Sequence, residues 1–175
     1  LYWNYWIFTD EIYNDTRFIN QHLMDAFYKQ GKFNGVADLI RYELLLTYGG
    51  FLPPADAVCK NPIDELLVSP SDHCYTVYEN EQHRPGLVSP IYAANPENQF
   101  IETIVDTLHK TKAEDLNPSP WRSTGNLFLK EMISQHDPAI TIWPSHYFIP
   151  NHFDPAIPSY NGPDKIFADQ MWGST

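Results

Sequence analysis

FNGVADLIRYELLLTYGGFLPPADA, residues 33–57, contains the strongest structural pattern of the chain. Its apolar residues recur at helical spacing, so the pattern predicts a helix over Phe33–Tyr48 with Asn34 capping its start. Gly49-Gly50 ends the helix, because glycine permits the sharp turn that the chain needs there. Phe51-Leu52 follows as a short apolar segment, which predicts a brief strand.

Three polar residues of this stretch are placed to share a ligand. Asp38 and Arg41 lie three residues apart, so they occupy one face of the predicted helix. Asp56 comes just after the predicted strand, and α/β folds bind ligands at the carboxyl ends of their strands. An alternative interpretation is an ion pair on the helix surface together with a solvated loop aspartate, an arrangement that is common and weakly stabilising.

The rest of the chain alternates strand-like and helix-like segments, which is typical of an α/β fold. A run of prolines predicts irregular chain from 150 to 164. The length of 175 residues fits one domain with its own core. The predicted strands are 1–10, 74–78, 91–94 and 140–143, and the predicted helices are 11–30, 98–111 and 123–135.

The composition excludes several classes of protein. The net charge is −11, from 11 basic and 22 acidic residues, so no nucleic-acid partner is expected. The same charge would repel a nucleotide diphosphate unless a metal or a local cation offsets it. No apolar run reaches the length of a membrane span, and no signal peptide is visible. Cys59 and Cys74 are expected to be buried free thiols.

The residues Ala37-Asp38-x-x-Arg41-Tyr42, followed by Tyr48-Gly49-Gly50 and Asp56, resemble the sugar-binding region of glycosyltransferases that carry an Asp-x-Asp motif. Fungal mannosyltransferase-like and bacterial capsular polysaccharide enzymes are of this kind, and clostridial glucosylating toxins share the core. The resemblance continues in order along nearly the whole chain. The further segments that carry it are 5–10, 58–67, 93–100, 123–125 and 168–175.

The resemblance implies a GT-A fold, which is a single Rossmann-like α/β domain with one mixed sheet flanked by helices. The family's first strand would precede Leu1, so residues 1–175 are expected to be a domain that lacks this strand. Asp38 and Arg41 match residues that hold hydroxyls of the donor sugar. Asp56 matches a carboxylate that holds the sugar and a divalent metal, Mn²⁺ or Mg²⁺, which bridges the two phosphates.

The family's C-terminal loop contacts the diphosphate and supplies a further metal ligand. Gln170 stands where the family has a metal-binding His, and Trp172 and Ser174 match the rest of this loop. The resemblance therefore implies a metal at Asp56 and Gln170. The site is expected to be weakened, because Pro54 replaces the first Asp of the motif and has no side-chain oxygen.

The implied function is transfer of a hexose from a UDP- or GDP-linked sugar to a glycan or lipid-linked acceptor, with retention of anomeric configuration. The alternative is a catalytically impaired relative that binds sugars or partners, which Pro54 and Gln170 favour. A shift of the C-terminal loop by one residue would let Asp169 compensate for Gln170. Related enzymes work at the cytoplasmic face of a membrane or in the Golgi. The sequence names no catalytic nucleophile or base.

Two other groups of residues have more than one interpretation. The segment Glu79-Asn80-Glu81 follows a predicted strand, so it is either a charged turn or part of an acceptor site. His146 and His152 flank the proline-rich segment, but they lack the spacing of a zinc site.

Overall fold

The computed structural model describes residues 7, 9–15, 17–67 and 72–172. The strand predicted over residues 1–10 lies mostly outside the described residues, and Asp10 begins a helix. The helices are α1 (Asp10–Asp15), α2 (Gln21–Lys29), α3 (Phe33–Tyr48), α4 (Gln99–His109), α5 (Pro120–Ser123) and α6 (Asn126–His136). The strands are β1 (Gly50–Phe51), β2 (Ala57–Cys59), β3 (Cys74–Asn80), β4 (Arg84–Val88), β5 (Ala93–Ala94), β6 (Ile140–Trp143) and β7 (Ala168–Gln170).

Strand β3 is the centre of a five-stranded mixed sheet. Strand β6 pairs with it in parallel, whereas β4 and β5 pair with it in antiparallel orientation. Because β1 is antiparallel to β5, the strands β1, β3 and β6 run in the same direction. Their carboxyl ends therefore lie at one edge of the sheet, the carboxyl edge. The prediction of an α/β fold with a mixed sheet is confirmed.

A second, two-stranded sheet forms outside the first, whereas one sheet was expected. Strand β2 pairs with β7 in antiparallel register, so that Ala57 lies across from Gln170 and Val58 lies across from Asp169. The pairing joins segments more than a hundred residues apart, and each strand has only three residues. The local pattern of so short a segment does not distinguish it from a loop.

Helix α3 has the predicted bounds, but its start differs from the prediction. Lys32 is the N-cap residue, and Asn34 lies within the first turn, where its side-chain oxygen accepts a bond from the Gly35 amide. The helix ends at Gly49, which adopts a φ of +63°. A Cβ atom at Gly49 would lie 2.5 Å from Cδ of Pro96, so this position requires glycine for two reasons.

The helix predicted over 11–30 is divided into α1 and α2. The main-chain amides of Ile19 and Asn20 donate to the carboxylate of Glu43 on α3, at 2.6 and 2.8 Å. These bonds replace the helical pattern between α1 and α2, because a buried carboxylate offers the amides a charged acceptor. The helix predicted over 123–135 begins later, at Asn126, after the separate short helix α5.

The two faces of the sheet are covered differently. One face packs against the helices, through a core that includes Phe27, Leu39, Ile104 and Leu129. The other face carries a largely aromatic core, in which Trp143 and Phe148 stack at 5.3 Å. Of the two cysteines, which are both free, Cys74 is buried as predicted, but Cys59 is exposed on β2. No helix among the described residues is long and apolar enough to cross a membrane.

Candidate functional site

The helix pair Asp38 and Arg41 does not form a simple surface ion pair. Nη1 of Arg41 donates to the main-chain oxygen of Leu52 and, at 3.2 Å, to that of Ile91. The guanidinium therefore ties α3 to the chain just after β1 and just before β5. This places Arg41 at the carboxyl edge, where the sequence predicted a ligand site.

Asp38 is partly buried beside this guanidinium. Burial raises the pKa of the Asp38 carboxyl from 3.8 to about 7, while the hydrogen bond from Thr124 and the charge of Arg41 oppose that rise. Burial lowers the pKa of Arg41, which the neighbouring Tyr92 and Asp38 counteract. A carboxyl group that titrates near neutral pH is typical of functional sites, although structural networks also produce one.

The turn between α5 and α6 forms the wall opposite Asp38. The hydroxyl of Thr124 donates to Oδ2 of Asp38 at 3.0 Å, and the Tyr42 hydroxyl donates to the main-chain oxygen of Thr124 at 2.7 Å. A Cβ atom at Gly125 would lie 3.3 Å from the same Asp38 oxygen. The Thr124-Gly125 turn, which only the family resemblance pointed to, thus lies directly against the Asp38 carboxylate.

Asp56 joins the same region through Tyr92, a buried residue just before β5. Burial raises the pKa of Tyr92, the charge of Arg41 lowers it, and the charge of Asp56 raises it further. The charges of both Arg41 and Asp56 therefore act on Tyr92. Asp38 and Arg41 lie side by side on α3, and Asp56 follows β1 at the carboxyl edge of the sheet.

The C-terminal segment reaches Asp56 through the main chain. The Met171 amide donates to the main-chain oxygen of Asp56 at 2.9 Å, which extends the β2–β7 ladder by one residue. Successive side chains of a strand point to opposite faces, so Gln170 and Asp169 cannot face the same side. The Asp169 carboxylate accepts bonds of 3.2 and 3.1 Å from the Asn151 amide. A one-residue shift that exchanged Asp169 for Gln170 would break this register.

The other residues implied for the diphosphate loop lie further along this segment. Trp172 donates from Nε1 to the main-chain oxygen of Asn151 at 2.8 Å, and its ring lies 5.2 Å from that of His152 and 4.9 Å from that of Phe153. Ser174 lies outside the described residues. The structure therefore fixes Trp172 against the 151–153 segment.

The residues at this edge fit a metal only in a limited sense. Among the described residues, no group of three or more His, Cys, Asp or Glu side chains is arranged to hold a metal ion. Asp56 supplies one carboxylate. Gln170 pairs with Ala57, whereas Asp56 pairs with Met171, so alternation along the ladder places the Gln170 side chain on the opposite face from Asp56 and Met171. Mg²⁺ is commonly bound by one or two carboxylates together with the phosphates of a substrate. A single carboxylate such as that of Asp56 fits a cation whose coordination is completed by other oxygens, as those of a phosphate can do.

Glu79 is buried and has three side-chain partners, which its position after a predicted strand did not indicate. Its side chain is 4% exposed at the end of β3. Its Oε1 atom accepts from Nη1 of Arg84 at 2.8 Å and from Nε2 of His152 at 3.1 Å, and Oε2 accepts from the Asn126 amide at 3.0 Å. Glu79 is therefore not part of an exposed charged turn. We call Glu79, Arg84, Asn126 and His152 the Glu79 network.

Its neighbour Glu81 has a separate role. The Glu81 carboxylate accepts from the amide and the hydroxyl of Ser145, at 2.7 and 2.6 Å, just after β6. His146 stacks on Tyr160 at 4.2 Å, whereas His152 belongs to the Glu79 network, so the two histidines serve different clusters. No sequence motif predicted the contacts of Glu79 with Asn126 and His152 or of Glu81 with Ser145, because each joins residues at least 47 positions apart in the chain.

A cavity of about 510 Å³ lies elsewhere in the molecule. Its walls include Asp72 and Ala139, which precede β3 and β6, so it lies at the amino ends of these strands. It is therefore at the opposite edge of the sheet from Asp38, Arg41 and Asp56.

Comparison of the chain with models of protein families and with curated proteins finds no match. The function must therefore be argued from the site itself.

Proposed function

We propose that this protein is a glycosyltransferase of GT-A type that transfers a hexose from a nucleotide diphosphate sugar to a glycan or lipid-linked acceptor. The observation that supports the proposal is the position of Arg41, which donates to the chain just after β1 and just before β5 at the carboxyl edge of a mixed sheet, with Asp38 beside it on α3. The ordered sequence resemblance named these two residues together with Asp56, which follows β1.

The donor sugar would be held chiefly by Asp38. Its carboxylate accepts one hydrogen bond from Thr124 and has further lone pairs with which to accept sugar hydroxyls. Nη1 of Arg41 already donates to two main-chain oxygens and so helps to fix the fold. Its positive charge and its remaining N–H groups would be available to the ligand. That positive charge is needed, because the chain as a whole carries −11.

The diphosphate would lie beside Asp56 and the C-terminal segment that pairs with it. A divalent cation, Mn²⁺ or Mg²⁺, would supply charge neutralisation of the departing diphosphate when it is bound. Asp56 is the carboxylate that would hold it. The bond from Met171 to the Asp56 carbonyl fixes the distance between these two segments.

A second candidate is a sugar- or partner-binding protein that has lost catalysis. The observation that favours it is the poor set of metal ligands among the described residues. The two candidates differ in the dependence of nucleotide binding on a metal, because only the enzyme requires the diphosphate to be neutralised as it leaves.

The test is calorimetric titration of UDP and of GDP, each with and without Mn²⁺. The enzyme proposal expects metal-dependent binding of one nucleotide and a loss of at least tenfold in affinity in Asp56→Asn. Asp115→Asn is the matched control, because Asp115 is an exposed residue of the Ala113–Asp115 turn beside α2. Absence of binding by a folded protein would overturn the enzyme proposal. Binding of free sugars without any nucleotide binding would favour the second candidate.

A further inference from the structure

The Glu79 carboxylate is surrounded by donors only. Arg84 can only donate, and the Asn126 amide group presents its NH₂ to an oxygen. In His152, Nδ1 accepts a bond of 3.0 Å from the Asp154 amide, so the ring hydrogen lies on Nε2, which faces Glu79. The side chain of His152 is 2% exposed, so this contact is shielded from water. The site is built for a carboxylate and not for an amide.

One of these donors leads directly to the proposed sugar site. Asn126 is the first residue of α6, and the two residues before it are Thr124 and Gly125. Thr124 bonds Asp38, and Gly125 approaches the same carboxylate. A single short turn is thus held by Asp38 on one side and by Glu79 on the other.

Another donor leads to the C-terminal segment. The His152 ring lies against Trp172, which is anchored to the neighbouring main-chain oxygen of Asn151. The segment that ends in Trp172 also bonds Asp56 through Met171. The Glu79 network therefore contacts both the turn beside Asp38 and the segment beside Asp56.

We propose that Glu79 is a positioning residue of the donor site, which acts through Asn126 to hold the Thr124-Gly125 turn against Asp38. This inference rests on the proposed function. Glu79 is buried behind the turn and does not touch the donor. Its substitution would loosen the turn, expose Asp38 to water and weaken the contact with the sugar more than the binding of the nucleotide portion, which would lie away from the turn.

The experiment compares Glu79→Gln and Asn126→Ala with wild type. Glu79→Gln places an NH₂ group among three donors, whereas Asn126→Ala removes only the link to the turn and keeps the network folded. Glu81→Gln is the matched control, because Glu81 is two residues away but bonds Ser145 instead of the turn. Circular dichroism and thermal unfolding establish that each variant is folded.

The first readout is the ratio of affinities for a sugar nucleotide and its free nucleotide, with UDP-glucose against UDP and GDP-mannose against GDP. Both network variants are expected to lower this ratio at least tenfold, and the control is expected to leave it unchanged. A general loss of structure would weaken both ligands equally and would not change the ratio.

The second readout needs no ligand. In protein labelled with ¹³C at the aspartate carboxyls, the Asp38 signal is assigned from its absence in Asp38→Asn and is titrated with pH. In the network variants its midpoint is expected to move away from about 7, because a looser turn changes both the burial that raises the pKa and the Thr124 bond that lowers it. If wild type binds no nucleotide, the proposed function fails, and this titration alone decides the positioning role. An unchanged Asp38 midpoint in folded Glu79→Gln and Asn126→Ala would overturn it.

Discussion

The hydroxyl of Tyr42 donates a hydrogen bond of 2.7 Å to the main-chain oxygen of Thr124, which links α3 to the turn between α5 and α6. Tyr42 is 1% exposed, so the carbonyl that it satisfies is also shielded from water. The neighbouring hydroxyl of Thr124 reaches Asp38 from the same turn. Helix α3 therefore binds the Thr124-Gly125 turn through Asp38 and Tyr42, which lie four residues apart on the helix.

Replacement of Tyr42 by Phe is expected to lower the free energy of unfolding by about 1–2 kcal/mol, because it leaves a buried carbonyl without its donor. Urea unfolding measures the change. Tyr28→Phe is the control, since Tyr28 is 64% exposed and its substitution should have an effect near zero. Equal stability of the two variants would show that water replaces the lost donor.

The stability of the protein should depend on pH through Asp38. The folded pKa of about 7 lies above the ordinary 3.8, so between these values the folded state keeps a proton that the unfolded chain releases. Stability contributed by this group is thus present at low pH and is lost as pH rises toward 7. Asp38→Asn has no such proton, so from pH 5 to pH 8 it should gain about 1–2 kcal/mol relative to wild type, after allowance for the partial exposure of the residue.

Urea unfolding at the two pH values tests this sign, with Asp115→Asn as an exposed control that should follow wild type. A difference between Asp38→Asn and wild type that is the same at pH 5 and pH 8 would contradict the raised pKa.

In the proposed function, Asp38 accepts sugar hydroxyls best when it is ionised. Donor affinity should therefore rise as pH passes through 7.

Glu43 should be one of the most sensitive acidic positions. Its carboxylate is 6% exposed and accepts the amides of Ile19 and Asn20, and burial raises its pKa. Glu43→Gln turns an NH₂ group toward one of these amides, so we expect a loss of about 2–3 kcal/mol of stability. Glu131→Gln, at an exposed position of α6, is the control. Hydrogen exchange should show faster exchange at Ile19 and Asn20 in the Glu43 variant alone.

Gly49 and Gly31 form a pair that separates backbone strain from steric contact. Both have positive φ, +63° and +68°, but only Gly49 is enclosed, with atoms of Pro96 and Ala94 within 2.8 Å of an added Cβ. Gly31→Ala should cost about 1 kcal/mol from strain alone. Gly49→Ala should cost about 3 kcal/mol or more, because main-chain atoms must also move. Thermal unfolding of both variants measures the difference, and equal losses would contradict the close approach of Pro96.

Local patterns predicted the parts of the fold that local interactions determine. Helix α3 has the expected bounds because its apolar spacing and its terminal glycines act within the helix itself. The split between α1 and α2 was not predictable in this way, since the carboxylate that causes it comes from Glu43, 23 residues after Asn20. The same limit applies to β2 and β7, whose pairing depends on residues from opposite halves of the chain.

The candidate site shows the same division. The spacing of Asp38 and Arg41 predicted that they share a helix face, but not that Arg41 would bond the main chain at Leu52 and Ile91. Glu79 follows a predicted strand, yet its burial depends on Arg84, Asn126 and His152. Sequence thus indicated where charged residues lie along the elements. It did not indicate which of them would find partners across the fold.

The arrangement around Asp56 leads to a prediction about metal removal. In the proposed function, a cation held by Asp56 completes its coordination with phosphate oxygens of the nucleotide, as Mg²⁺ commonly does. Treatment with EDTA should therefore change the Tm of the free protein by no more than about 1 °C. Without a nucleotide the cation does not bind, and a cation that does not bind cannot stabilise the folded state. Mn²⁺ should raise the Tm only when UDP or GDP is also present, and Asp56→Asn should abolish this joint effect. The contrary result is a strong rise in the Tm of wild type with Mn²⁺ alone that does not occur in Asp56→Asn. That result would contradict the prediction, because it would show that the protein holds the cation without a diphosphate, through ligands beyond Asp56 and Gln170.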